Sequence, residues 1–258
     1  MAISAGVIAW MLLTVSSTGS SGWHGTARWL GDDAARPTPV SAESTAPLGV
    51  APPPPLTPGP FVYLSTQPGS DAPVTYDPCR PIRIVVNNLH APSGSAQLLR
   101  NALDRVTEAS GLQFEIEGVT TEIPVHPRDA FQRDRYGDRW APVVVAWMSE
   151  AEIPDLRDAA GLGGSDAAIA PGTNTYMYVT GSVVLDGPYF DQILASSRGW
   201  FQAEAVIMHE FGHLLGLDHV DDPRQIMGTH RDRDILRFSS GDLAGLSALG
   251  SGPCMPRL

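Results

Sequence analysis

The pattern of apolar and polar positions changes near residue 78, and regular elements are predicted after that point. Residues 82–88, which are rich in β-branched residues, and the apolar run 143–148 predict buried strands. Residues 112–117 alternate between apolar and polar positions, which predicts a half-buried strand. Residues 176–185 are rich in β-branched and aromatic residues and predict one or two further strands.

Three helices are predicted between and after these strands. Ser93 is expected to cap the first, which should end just before Gly111. Residues 199–215 are apolar on most faces, which is typical of a helix in the protein interior. Residues 239–249 predict a short capped helix. This order of elements predicts an α/β sheet domain that spans residues 78–258.

The segments 119–141 and 150–175 are polar or rich in glycine and are expected to be irregular. Gly161, Gly163 and Gly164 resemble part of a phosphate-binding loop. No predicted strand precedes them and no lysine follows, however, so a flexible surface loop is the expectation.

The chain before residue 78 is predicted to hold no core of its own. Residues 1–22 begin with an uncharged apolar stretch that is too short for a comfortable membrane span, which indicates a secretory signal peptide or an N-terminal anchor. A misassigned start codon or a cytosolic helix is the alternative. Twelve of the 23 prolines lie in residues 31–78. Residues 23–77 therefore predict a largely disordered linker or a short propeptide. We therefore expect a secreted protein, or one anchored outside the membrane through its N-terminal segment.

Charge and cysteine content exclude several classes of protein. The net charge is −11, whereas a nucleic-acid partner requires a basic surface that neutralises phosphates. The same charge disfavours docking on anionic lipid. Two cysteines are too few for a four-cysteine zinc site or a disulfide-dense miniprotein.

The stretch from His209 to His219 has the spacing of a metal site. His209 and His213 lie four residues apart, on one face of the predicted helix, so both can bind one ion. Gly216 permits the backbone conformation that ends the helix, and the chain can then return with His219. Three imidazoles leave the fourth position of a tetrahedral zinc ion open, as in catalytic sites. Glu210 lies beside this position.

These residue types suit hydrolysis of a peptide bond. Zinc lowers the pKa of a bound water to about 7 and polarises a carbonyl oxygen. A carboxylate beside the water can take its proton during attack and pass it to the leaving amine. We therefore assign Glu210 as general base and then general acid, and His209, His213 and His219 as the ligands of one catalytic Zn²⁺.

The pattern His-Glu-x-x-His-x-x-Gly-x-x-His resembles the zinc signature of the metzincin metalloproteases. Met227 resembles the methionine that packs beneath the zinc ligands in that family. The short interval from His219 to Met227 and the closing helix at 239–250 are most similar to the matrixin, or matrix-metalloprotease-like, group. The resemblance covers residues 78–258 and implies a metzincin-like catalytic domain, with a mixed twisted sheet, an active-site helix and a C-terminal helix.

The chain departs from animal matrixins in its other metal sites. Those proteins carry a structural zinc held by several histidines, and the remaining histidines here lack that spacing. Asp166, Asp186 and Asp191 are candidate calcium ligands, because Ca²⁺ prefers carboxylate oxygens. Acidic loop residues of this kind are usually just solvated.

The inhibitory cysteine motif of matrixin propeptides is also missing. Cys79 stands at the start of the domain, where it is a candidate zinc-binding thiolate that would keep the enzyme latent. The favoured alternative is a disulfide with Cys254, because an exported protein with one cysteine near each end of a domain favours that pairing.

The sequence thus predicts a secreted, monomeric zinc endopeptidase that acts on an extended polypeptide. Two alternatives stay open: an exported binding module on a catalytically silent metzincin scaffold, and an amidase that acts on cell-wall peptide. Residues 176–185 are either an ordinary edge strand or the sheet edge along which substrate binds by strand addition. His230 is expected to be exposed to solvent, with lining the cleft or stabilising the oxyanion as the alternative. Asp218 is either a solvated residue or one that orients a neighbouring residue.

Overall fold

A computed structural model describes residues 28–31 and 34–258. The predicted signal peptide at 1–22 lies outside the described residues. Eight strands, five α-helices and one 3-10 helix, Pro154–Asp158, are present in the described part of the chain. The strands are β1 (Arg28–Trp29), β2 (Val62–Tyr63), β3 (Ile82–Asn87), β4 (Phe114–Val119), β5 (Val143–Met148), β6 (Gly161–Ile169), β7 (Tyr176–Asp186) and β8 (Leu217–Asp218). The helices are α1 (Ser95–Ser110), α2 (Arg133–Tyr136), α3 (Gly187–Leu194), α4 (Gly199–Leu215) and α5 (Ser240–Gly250).

The main sheet has six strands in the order β1-β6-β7-β5-β3-β4, and β2 pairs with β8 in a separate two-stranded sheet. Strands β3, β4, β5 and β7 run parallel, and β6 runs antiparallel to β7. Helices α1 and α4 enclose the larger core on one face of the sheet, where Phe211 packs against Phe114 and Trp147 against Phe190. The predicted α/β class with a mixed sheet is confirmed.

Strand β6 occupies the segment for which we predicted a flexible glycine-rich loop, and that prediction is wrong. Its nine residues pair with β7 from Gly161 to Ile169. A Cβ added to Gly163 would lie 2.2 Å from the backbone oxygen of Glu210, so the glycine allows α4 to approach the strand directly. The strand is therefore stabilised by pairing and close packing rather than by β-branched side chains of its own.

The position of β7 also differs from one expectation. Residues 176–185 were a candidate edge for substrate binding, but β7 lies between β6 and β5 in the interior of the sheet. Strand β6 is its antiparallel neighbour toward the sheet edge. On the outer side of β6, the described residues provide only β1, which pairs at Asp166 and Ala167.

The Pro-rich segment follows a defined, extended path where the sequence predicted a largely disordered linker. The backbone N–H of Leu48 donates to the carbonyl of Pro78 at 2.9 Å. The hydroxyl of Ser247 in α5 donates to the carbonyl of Pro52 at 2.6 Å. Further along, β2 pairs with β8. This segment therefore contacts the domain that follows it, despite having almost no regular structure.

The two cysteines form a disulfide, which confirms the favoured pairing. Cys79 and Cys254 have a Cα–Cα distance of 5.4 Å and are 175 residues apart in sequence. The bond joins the residue before β3 to the segment after α5, so Cys79 has no free thiolate to offer a metal. Within the described residues, none of the helices has the length and apolar character needed to cross a membrane.

Candidate metal centre

Helix α4 and the turn after it bring three predicted ligands together. His209 and His213 lie one turn apart on α4, and the helix ends at Gly216, whose φ is 119°. A Cβ at Gly216 would also lie 3.1 Å from the Tyr178 ring, so both the backbone conformation and the space favour glycine. Strand β8 follows immediately and leads into His219.

The three imidazoles point their Nε2 atoms at a common centre. The Nε2–Nε2 distances are 3.1 Å from His209 to His219, 3.1 Å from His209 to His213 and 3.3 Å from His213 to His219. Tetrahedral zinc with Zn–N bonds of about 2.0–2.1 Å separates its nitrogen ligands by about 3.3 Å. The donor set and its spacing therefore fit a zinc ion.

Backbone carbonyls fix the orientation of two of these rings. The Nδ1 atom of His209 lies 2.7 Å from the carbonyl oxygen of Ile226, and that of His213 lies 2.8 Å from the carbonyl oxygen of Leu217. A carbonyl only accepts, so each Nδ1 carries the proton and each Nε2 lone pair is left for a metal. Asp218 accepts a hydrogen bond from the backbone N–H of His219 at 2.7 Å.

Glu210 is buried beside the histidines with an unsatisfied carboxylate. Its Oε2 atom has no hydrogen-bond partner among the described residues. Burial raises the pKa of Glu210 to about 8. A divalent cation at the histidines would favour the ionised form and offset that effect. Gly161 of β6 faces this carboxylate, and a Cβ there would lie 3.0 Å from Oε1.

Met227 packs against Gly212 of α4, between two of the candidate ligands in sequence. A Cβ at Gly212, which lies between His209 and His213 on α4, would be 2.4 Å from the Met227 sulfur. Asp242 fixes the turn that contains Met227. Its carboxylate accepts hydrogen bonds from the backbone N–H groups of Ile226 at 2.8 Å and Met227 at 3.1 Å. The roles of Gly212 and Asp242 were not predicted from the sequence, because both residues contact the turn at Met227, which is distant from them in sequence.

The calcium candidates do not assemble into a site. Asp166 is paired with Arg28, with 2.9 Å between Oδ1 and Nε, and Asp186 accepts from the backbone N–H of Tyr189 at the start of α3. Neither these residues nor Asp191 falls in a group of three metal-binding side chains within the described part of the chain. Calcium is therefore not supported. His230 is exposed.

Comparison with known proteins agrees with this metal centre. A family model described as matrixin matches residues 147–249. Macrophage metalloelastase from Oryctolagus cuniculus is 36% identical over 66 residues, which are 24% of this chain and 14% of that protein's length. These matches agree with the resemblance to matrixin-like metzincins seen in the sequence.

Two solved archaemetzincin structures are similar to the chain at 14% identity each. The one from Methanopyrus kandleri has a TM-score of 0.31, with 65% of this chain and 86% of that chain covered. The one from Archaeoglobus fulgidus, complexed with malonate, has a TM-score of 0.34, with 63% of this chain and 99% of that chain covered.

Proposed function

We propose that this protein is a zinc-dependent endopeptidase. The observation that carries the proposal is the unsatisfied Glu210 carboxylate beside three imidazole Nε2 atoms that lie 3.1–3.3 Å apart. His209, His213 and His219 would hold the metal. The Oε2 atom of Glu210 has no hydrogen-bond partner among the described residues, so it is available to move a proton.

The chemistry divides between the metal and this carboxylate. Zinc, when bound, supplies Lewis acidity and makes water a nucleophile near neutral pH. Glu210 accepts the proton of the attacking water as its oxygen bonds to the scissile carbonyl carbon. The same carboxyl then delivers that proton to the amide nitrogen, the C–N bond breaks, and an amine and a carboxylate leave.

The edge of β6 is the surface that best suits an extended substrate. Residues 161–165 pair with β7 on their inner side, and no described strand pairs with them on the outer side. A polypeptide added as a strand there would pass Gly161, which faces the Glu210 carboxylate. This edge takes the place of the β7 edge suggested by the sequence.

We further propose that the protein acts outside the cytoplasm. The disulfide between Cys79 and Cys254 supports this location, because disulfides persist in oxidising compartments. Residues 1–22, which begin with an uncharged and mostly apolar stretch, support it independently by their resemblance to a signal peptide.

A substrate panel tests the proposed activity. The full chain is loaded with one equivalent of zinc and incubated with casein and, separately, with peptidoglycan, and the products are identified by mass spectrometry. We expect cleavage at internal peptide bonds of casein, lost after chelation and restored by zinc. Zinc binding with release of cell-wall peptide alone would indicate the amidase instead. Zinc binding with neither activity would indicate a silent binding scaffold.

A further inference from the structure

A short stretch of the Pro-rich segment is hydrogen-bonded to the strand that precedes His219. We call residues 59–66 the strap. In its centre, β2 pairs antiparallel with β8, with Val62 opposite Asp218 and Tyr63 opposite Leu217. The backbone N–H of Leu64 then donates to the carbonyl of Gly216 at 2.8 Å. The strap therefore contacts each of the three residues that join α4 to His219.

The backbone that the strap holds supports two of the metal ligands. The carbonyl of Leu217 accepts from His213, and His219 follows Asp218 directly. Among the described strands, β2 is the only partner of β8. Without β2, this two-residue strand would lose the only strand that pairs with it in the described part of the chain, and strands this short are marginal on their own.

The start of the strap packs onto the first turn of α5. A Cβ at Gly241 would lie 2.1 Å from the carbonyl oxygen of Pro60, and one at Gly59 would lie 2.5 Å from the Gln225 side-chain nitrogen. The Gln225 side-chain oxygen in turn accepts from the backbone N–H of Gly241 at 3.1 Å. This end of the strap is thus anchored beside the turn that carries Met227.

The middle of the strap is wedged between β8 and α5. A Cβ at Gly245 of α5 would meet the Leu217 side chain at 2.5 Å and the Phe61 ring at 3.2 Å. The Phe61 ring also packs edge-on against Tyr63, with 5.4 Å between ring centroids. Strap, β8 and α5 therefore form one packed layer behind the ligands.

We propose that the strap is a positioning element of the metal centre. By fixing β8, it holds the imidazoles of His213 and His219 in the orientation that zinc requires, which lowers the cost of ordering them on binding. It follows that the active enzyme retains residues 59–66, and that any maturation cleavage lies before Gly59. The inference shares the zinc site with the proposed function, but it does not require proteolysis to occur.

The test is the zinc affinity of full-length variants, measured by competition with a chromophoric chelator. Leu64→Pro removes the N–H that binds Gly216, and we expect zinc binding 10- to 100-fold weaker, the range typical for loss of a partner that orients a ligand. Leu64→Ala keeps the N–H and should bind within twofold of the parent. Leu56→Pro is the control for the introduction of a proline. The Leu56 side chain is fully exposed, and the residue directly follows a run of prolines.

A spectroscopic readout separates positioning from general destabilisation. With Co²⁺ in place of zinc, Leu64→Pro should show weaker and shifted d–d absorption, while Leu64→Ala should match the parent. Should Leu64→Pro fail to fold, Phe61→Ala removes the packing between β8 and α5 and is expected to weaken zinc binding at least fivefold. Parent-like zinc affinity in every folded strap variant would overturn the inference. If the parent chain binds zinc but cleaves no protein substrate, the proposed function is wrong and the inference about the strap is unaffected.

Discussion

At the scale of single residues, Glu122 and Arg128 form a buried ion pair outside the metal centre. Both are buried, and Arg128 donates to both carboxylate oxygens at 2.7 and 2.9 Å. Arg128 also donates to the Thr180 hydroxyl in β7 at 2.8 Å. Burial alone would raise the pKa of Glu122, but the Arg128 guanidinium outweighs it and holds that pKa below its usual value. The pair thus ties the irregular segment 119–141 to the sheet.

We expect Arg128→Ala to lower the free energy of unfolding by about 3 kcal/mol at pH 7, because it removes the positive charge that compensates a buried carboxylate. A depressed folded-state pKa contributes stability that is present above the unfolded value of about 4.3 and lost as pH falls through the folded value. The difference between variant and parent should therefore shrink between about pH 5 and pH 3. Urea unfolding at both ends of that range measures it.

The matched control for this pair is Arg133→Ala, which removes an exposed arginine from α2 of the same segment. It should change the unfolding free energy by less than about 0.5 kcal/mol. A pH-independent loss in Arg128→Ala, or an equal loss in Arg133→Ala, would contradict the account of the buried pair.

At the scale of elements, the contact between β6 and α4 determines how the edge strand meets the metal site. Gly161 and Gly163 bring the β6 backbone against the Glu210 side chain and backbone respectively. On the far side of the pairing, a Cβ at Gly181 of β7 would lie 2.6 Å from Leu214. These glycines let helix and sheet approach more closely than larger side chains would permit.

Gly163→Ala is expected to destabilise the protein by about 3 kcal/mol and to weaken zinc binding, since its Cβ would overlap the Glu210 carbonyl. Gly172→Ala is the control for backbone strain alone. Gly172 has φ of 76° and no atom within 4 Å of an added Cβ, so we expect a cost of about 1 kcal/mol and unchanged zinc affinity. Thermal unfolding and a zinc titration check both, and similar effects in the two variants would count against the close-packing explanation.

At the scale of the whole molecule, the N-terminal segment and the disulfide join distant parts of the chain. The segment runs from β1 on the outer side of β6, past the C-terminal residues, to the strap beside α5. Near its middle, the backbone of Val40 and that of Leu258 exchange two hydrogen bonds of 3.2 Å. The disulfide then closes a loop of 175 residues beside this contact.

Replacement of both cysteines, Cys79→Ser with Cys254→Ser, should lower the free energy of unfolding by up to roughly 5 kcal/mol, the chain-entropy value for so long a loop. Reducing agent should destabilise the parent by a similar amount and leave the double variant unchanged. Denaturant titrations with and without reductant provide the measurement. An unchanged parent under fully reducing conditions would show that the cross-link contributes nothing.

Local patterns account for what the sequence predicted well. The bounds of β5 and α4 agree with the predicted ones because both segments are mostly apolar. The three histidines converge because their spacing is set by one helix and one turn. Strand β6 was missed because its stability comes from β7 and α4, which are distant in sequence. The strap was missed because proline predicts an extended chain but says nothing about the surface on which it lies.

The central claim is that Glu210 transfers the proton in a zinc-dependent hydrolysis, and Glu210→Gln tests it most directly. The amide keeps the shape of the side chain but cannot act as a base. The measurement is kcat for hydrolysis of a casein-derived peptide, with zinc content determined on the same samples. We predict one zinc per chain in both proteins and a kcat at least 100-fold lower in the variant. A zinc-loaded variant that hydrolyses the peptide at the parent rate would contradict the account.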